Sequence, residues 1–215
     1  MLDFQLPANP ANQAPMAKYM LNQFPFLGLK TPVRRAKTKP LLAVSKNWAN
    51  SHVMAAVAEL YGRPQREYQY AAIELARAHV HSYGQRELAT LSQYVMQKSW
   101  WDTVDALRPI FGDYVNLHPA SLPDVYAMFA EHENFWMRRV AITLQLASKG
   151  ATNTELLTRA IDYDLHTDEF FIQKAIGWAL RQYSKTDAAW VAAFIASRPD
   201  LSKLAVREGS KYLVK

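Results

Sequence analysis

Ser99-Trp100-Trp101-Asp102-Thr103-Val104-Asp105 is the stretch of this chain whose residue types can do chemistry. Ser99 is a good helix N-cap, because its hydroxyl can accept from a backbone N–H of the first turn. Asp102, third in such a helix, suits the positive end of the helix dipole. Trp101 and Asp105 then lie four residues apart, one above the other on a single face, while Trp100 points elsewhere. An indole beside a carboxylate can hold a sugar ring and stabilise positive charge on it. On this stretch alone a blander arrangement stays open, with Trp101 in the core and Asp105 a solvated helix residue.

The elements that must position these residues are helices. Glycine is scarce, at 7 of 215 residues, and no stretch alternates with period two. Residues 1–14 read as an irregular segment, followed by a helix over Pro15–Phe24, with Gly28, Pro32 and Pro40 as breaks after it. Then come expected helices at Ala49–Tyr61, Gln65–His81, Gln85–Gln97, Trp100–Val115, Ala120–Glu131, Asn134–Lys149, Asn153–Tyr163, Asp168–Ser184, Asp187–Ser197 and Leu201–Leu213. Pro109 is expected to kink the helix that carries Trp101.

Four of these helices repeat a short pattern: Tyr70-Ala71-Ala72-Ile73, Val104-Asp105-Ala106-Leu107, Arg139-Val140-Ala141-Ile142 and Lys174-Ala175-Ile176-Gly177. The steps Tyr70 to Val104, Val104 to Arg139 and Arg139 to Lys174 are 34, 35 and 35 residues, and a further 33 reaches Arg207. A period in the thirties built of helix pairs marks an all-α helical solenoid, here a single domain over residues 1–215. Equivalent positions then form a column on one surface. Arg139, Lys174 and Arg207 share it, Asp105 sits one position off it, and Trp178 and Arg181 lie close to the same face. Arg138 and Arg139 face different ways, so one can enter a groove while the other packs or caps.

The formal charge is +6 and the isoelectric point about 9.4, which favours a polyanionic partner, with nucleic acid first. Lys30, Arg34, Arg35, Lys37, Lys39 and Lys46 form a cluster without an acid, either a solvated face or a phosphate grip. A concave, basic face with interleaved aromatics fits duplex DNA. A lone carboxylate there repels phosphate, which points to work that arginines cannot do. The chain has no cysteine, which removes disulfides, thiolate catalysis and cysteine zinc sites. His79 and His81, two apart on a helix, do not face one metal, and no cofactor motif is present. No signal-like start and no membrane-length apolar run is seen, so the expected compartment is cytoplasmic.

Five strings carry a resemblance: Phe26-Leu27-Gly28-Leu29-Lys30-Thr31-Pro32-Val33-Arg34-Arg35, Arg66-Glu67-Tyr68-Gln69, Lys98 to Asp105, Trp136 to Ala141, and Glu169 to Trp178. In this order they resemble the bacterial DNA alkylation repair proteins of the AlkD type, over about residues 15–213. The resemblance implies a HEAT-like repeat glycosylase that excises cationic N3- and N7-alkylated purines from double-stranded DNA; the protein is expected to be a monomer that uses no metal or cofactor. It implies Asp105 as the catalytic carboxylate, Trp101 as the indole on the deoxyribose and Arg139 as an active-site arginine contacting phosphate. Trp178 matches a second cleft tryptophan and Tyr19 an aromatic near the lesion. Lys30, Arg34, Arg35, Arg138, Lys174, Arg181 and Arg207 complete the expected DNA-binding set. Ala147 and Val206 stand where other members carry basic residues. Some relatives on the scaffold bind DNA, including branched DNA, without excising a base, which is the alternative role.

Overall fold

The structure, a computed structural model, describes residues 2–213. Among these residues are twelve α-helices, five short 3-10 turns and no strand, as an all-α helical-repeat protein requires. The helices fall into two compact units, one ending at Glu87 and one beginning at Leu88.

The first unit holds α1 (Pro10–Tyr19), α2 (Thr31–Ser45), α3 (Asn50–Gly62) and α4 (Arg66–Ala78). Two expectations change here. The first helix starts at Pro10 rather than Pro15, so the irregular opening is shorter than residues 1–14. Proline is well tolerated there, since an N–H in the first helical turn has no intrahelical acceptor. The expected break at Pro32 and Pro40 is instead a helix, α2, with Pro32 in its first turn and Pro40 inside it. Arg34, Thr38, Leu41 and Ser45 form its buried stripe, which outweighs the hydrogen bond that Pro40 cannot donate. Both α2 and α3 pack on α4.

Glu67, fully buried near the start of α4, organises the preceding loop. Its carboxylate accepts from the backbone N–H groups of Leu27, Gly28 and Leu29 at 2.8, 2.8 and 3.0 Å. Gly28 has φ +88°, and a Cβ on it would stand 2.1 Å from the Asn9 carbonyl oxygen, so both conformation and space demand glycine.

α5 (Gln85–Ser92) spans the boundary. The second unit continues with α6 (Trp101–Leu117), α7 (Leu122–Ala127), α8 (Phe135–Thr143), α9 (Thr154–Tyr163), α10 (Phe170–Tyr183), α11 (Ala188–Ala196) and α12 (Lys203–Gly209). Side chains of Asn134, Asn153, Glu169, Asp187 and Ser202 accept N–H groups at the starts of α8, α9, α10, α11 and α12. These caps fix where helices begin. α6 runs unbroken past Pro109. In sequence order, α6 packs on α8, α8 on α10 and α10 on α12, with α9 against α8 and α11 against α10. Alternate helices therefore stack as the 34–35-residue period requires.

One repeat position seals the turn before its own helix. Gln69 donates to the carbonyls of Tyr61 and Arg63. Gln173 donates to those of Asp164 and Thr167. Arg138, at the matching place in α8, donates to the carbonyls of His132 and Glu133 and holds the Asp164 carboxylate at 3.0 Å. Orphaned turn carbonyls are costly, and this position answers them in three repeats. Burial pushes the Asp164 carboxyl above its ordinary pKa, and the Arg138 guanidinium opposes that shift.

Arg138→Ala strands a carboxylate that is 2% exposed and unpairs two turn carbonyls. The expected cost is about 3–5 kcal/mol at neutral pH. Without Arg138 the folded Asp164 pKa rises further above its unfolded value. The variant's deficit therefore shrinks as pH falls towards the ordinary carboxylate range, because a protonated Asp164 needs no cation. Thermal unfolding of both proteins across pH measures this. Gly177→Ala places a Cβ 2.5 Å from Cβ of Glu208 and 3.2 Å from the Ala205 carbonyl oxygen. Overpacking at this α10–α12 crossing is expected to cost about 1–3 kcal/mol. That lowers Tm by about 2–4 °C per kcal/mol, read in the same melts.

Candidate active site

The site grows from the turn before α6. Lys98 takes φ +48°, and the chain then extends through Trp100, whose φ and ψ are −157° and 163°. Ser99 does not cap the helix. Its hydroxyl donates to the Val95 carbonyl at 2.7 Å, and Trp100 occupies the N-cap position without a side-chain cap bond. Asp102 is consequently second in α6 rather than third, still within the first turn where the dipole favours it. What anchors the turn is aromatic packing. Trp100 meets Phe171 at 5.0 Å and Trp136 at 6.0 Å, edge to face, and Trp136 meets Phe171 at 4.9 Å. Three rings from the starts of α6, α8 and α10 thus pin those starts together.

With Trp100 turned inward, Trp101 opens α6 half-buried and Asp105 follows one turn later. Arg139 comes from the middle of α8. Its Nε and NH2 nitrogens donate to the two oxygens of Asp105 at 2.9 and 2.8 Å, a bidentate fork. Its NH1 nitrogen donates to the Phe171 carbonyl at the start of α10. The Arg139 side chain is 6% exposed and that of Asp105 is 22% exposed. A buried cation therefore fixes the orientation of a carboxylate that still reaches solvent. Such a carboxylate can stabilise positive charge developing on a neighbouring group.

Arg108 lies one turn beyond Asp105, with its guanidinium carbon 5.9 Å from the centre of the Trp178 ring on α10. Lys174, one turn before Trp178, bonds to Glu208 of α12 at 3.1 Å, and Arg181 bonds to the other oxygen of Glu208. The column across the four helices is therefore Asp105, Arg139, Lys174 and Glu208. This corrects the expected register, which put Arg207 in the column and Asp105 one place off. Arg207 is exposed beside it. Sequence reasoning missed Glu208 and Arg108. The signals were a spacing of 34 residues from Lys174 and of 3 from Asp105.

In the first unit Tyr19 ends α1 and is 70% exposed, and Lys30 is exposed at the N-cap of α2. The basic cluster has an acid after all, supplied by α4. Glu74 pairs with Arg34 at 2.9 Å and with Arg35 at 3.2 Å. Arg34 is buried under that pair and beside the Tyr70 ring, whereas Arg35, Lys37, Lys39 and Lys46 face solvent. Arg138 likewise turns to protein partners, so it is the member of the arginine pair that packs. His79 bonds to the buried Ser45 hydroxyl at 3.0 Å while His81 is exposed. No group of three potential metal ligands occurs among the described residues, and no helix there is long and apolar enough to cross a membrane.

The chain is similar to a structure from Enterococcus faecalis described as a predicted DNA alkylation repair enzyme, at 48% identity, over 99% of each chain and with a TM-score of 0.96. No curated protein matches it. The DNA alkylation repair enzyme family matches residues 1–213, and with nearly the whole chain so covered, this protein belongs to that family.

Proposed function

We propose that the protein is a monofunctional DNA glycosylase that removes cationic N3- and N7-alkylated purines from duplex DNA. The observation that carries this reading is the Asp105 carboxylate, oriented by the buried fork of Arg139 and still open to solvent. Alkylation at N3 or N7 already places positive charge on the base, so the leaving group needs little protonation. The remaining barrier is formation of an oxocarbenium-like sugar, as in other glycosidic cleavages. Asp105 stabilises that cation and can orient the attacking water. Trp101, one turn earlier, offers an indole for the sugar and a further cation–π attraction. The reaction hydrolyses the N-glycosidic bond: the base leaves neutral with the bonding electron pair, water adds its oxygen to the sugar carbon, and the proton that water gives up passes by way of Asp105 to solvent. No lysine imine is part of this route, so the strand stays uncut. Among the cations, Lys174 and Arg181 in the second unit and Lys30 and Arg35 in the first are the ones we assign to phosphate. Arg34 and Arg138 support the fold instead.

The test is release of 7-methylguanine from methylated duplex by the purified protein. Asp105→Asn is expected to lower excision by about 10²–10³-fold, the scale for losing one electrostatic stabiliser. It removes the charge opposite a buried Arg139, so Tm is measured alongside, with an expected loss of about 1–3 kcal/mol. Normal excision by folded Asp105→Asn would remove the carboxylate from the mechanism, and duplex binding without excision by the wild type would favour the DNA-binding alternative. Arg139→Lys keeps the charge and loses the fork, and fixed-geometry forks are not replaced by a point charge. It is expected to slow excision by at least about tenfold, which corresponds to only about 1.4 kcal/mol of transition-state stabilisation.

A further inference from the structure

Lys174, Gly177, Trp178 and Arg181 occupy places i, i+3, i+4 and i+7 of α10 and so share one face. Glu208 of α12 lies on that face. Its two oxygens bond Lys174 and Arg181 separately, although those residues start about 10.5 Å apart along the helix axis. The bridge exists because Gly177 lies between them. A Cβ there would stand 2.5 Å from the Glu208 Cβ, so only glycine lets α12 bring its carboxylate this far onto α10. The Lys174, Arg181 and Glu208 side chains are 39%, 27% and 20% exposed, so this bridge is reachable from solvent. The other carboxylate of the column, Asp105, faces an arginine that is 6% exposed and also bonded to the Phe171 carbonyl.

The two acids of the column thus differ. Asp105 is held by a cation that a phosphate cannot easily reach. Glu208 holds two cations that a phosphate can reach, and those two hold its carboxyl below the usual carboxylate range, with the Lys174 hydrogen bond as the largest cause. We propose that Glu208 is a specificity-determining residue that competes with DNA phosphate for Lys174 and Arg181, and so weakens binding to undamaged duplex. This rests on the duplex-DNA reading above. A carboxylate and a phosphodiester oxygen are alternative acceptors for the same donors. While Glu208 holds both cations, they converge on one point, and backbone phosphate must displace an intramolecular anion to gain them. Contacts elsewhere on the duplex must supply that displacement, so backbone charge alone is a weaker ligand than the cation content of the chain implies. Loss of the carboxylate raises the net charge of the Lys174–Glu208–Arg181 set by one, so one further net positive charge meets the backbone.

The experiment measures binding of the full chain to an undamaged duplex through a salt series, with the Tm of each protein. Glu208→Gln is expected to bind about 5- to 10-fold more tightly near ~0.1 M salt and to steepen the slope of log K against log salt by about one, as for one further phosphate contact. Arg181→Gln added to Glu208→Gln is expected to bring the slope back near the wild-type value. A purely structural bridge would lower Tm and leave the slope alone, and that result overturns the proposal. Should Glu208→Gln not fold, Glu208→Ser removes the same charge with a smaller side chain over Gly177 and reads the same slope. Failure of both to fold makes the carboxylate a structural partner and also overturns it. A wild-type protein that binds no duplex refutes the DNA reading and this proposal together. Duplex binding with an unchanged slope in Glu208→Gln refutes only the role of Glu208.

Discussion

The fork between Arg139 and Asp105 is the constraint on which the site depends. It joins α6 to α8, and the same guanidinium reaches the carbonyl of Phe171 on α10. Three helices are therefore in register around one carboxylate. The geometry is set from two sides. The fork acts at the solvent side, and the packed rings of Trp100, Trp136 and Phe171 act at the helix starts. The rings fix the helix starts, and the fork orients the acid against an arginine that is 6% exposed.

Charge in this protein is more paired than a net +6 implies. Arg34 and Arg35 share Glu74, Arg138 holds Asp164, Arg139 holds Asp105, and Lys174 and Arg181 share Glu208. In each of these four sets an acid on one repeat meets a cation on another. Buried members such as Arg34 and Asp164 serve the fold. Arg35, exposed over most of its side chain, keeps its charge at the surface, whereas Lys174 and Arg181 converge on Glu208.

The helical class and the period were readable in the sequence because both are written as repeats along the chain. The Val104, Arg139 and Lys174 positions fall on α6, α8 and α10, alternate helices that stack in the second unit, and Tyr70 falls at the matching place on α4 in the first. The candidate acid and its arginine were also readable, as residue types 34 apart and as members of strings resembling a known family. Three things were not. The helix through Pro32 and Pro40 depends on burial against α4, a tertiary effect that local breaker signals cannot contain. The cap at Ser99 failed because Trp100 entered an aromatic cluster with residues 36 and 71 positions away, which no local pattern announces. The column slipped by one residue at Glu208 because a spacing counted on cations alone prefers Arg207 to its acidic neighbour. Spacing reports which turn of a helix faces a neighbour, whereas the partner's sign decides which residue in that turn is used.

The turn seal made by Gln69, Arg138 and Gln173 leaves one asymmetry. The side-chain amide oxygens of Gln69 and Gln173 are buried with no hydrogen-bond partner, whereas arginine carries no acceptor to strand. The same place thus accommodates an amide or a guanidinium, each closing the turn of its own repeat. Closure is local, and only Arg138 extends it to a side chain of the following repeat, Asp164. The glutamine form leaves a repeat's turn independent of its neighbour, whereas the arginine form ties it to an acid next door. The surface column one residue further on then inherits a fixed scaffold on which its chemistry is free to diversify.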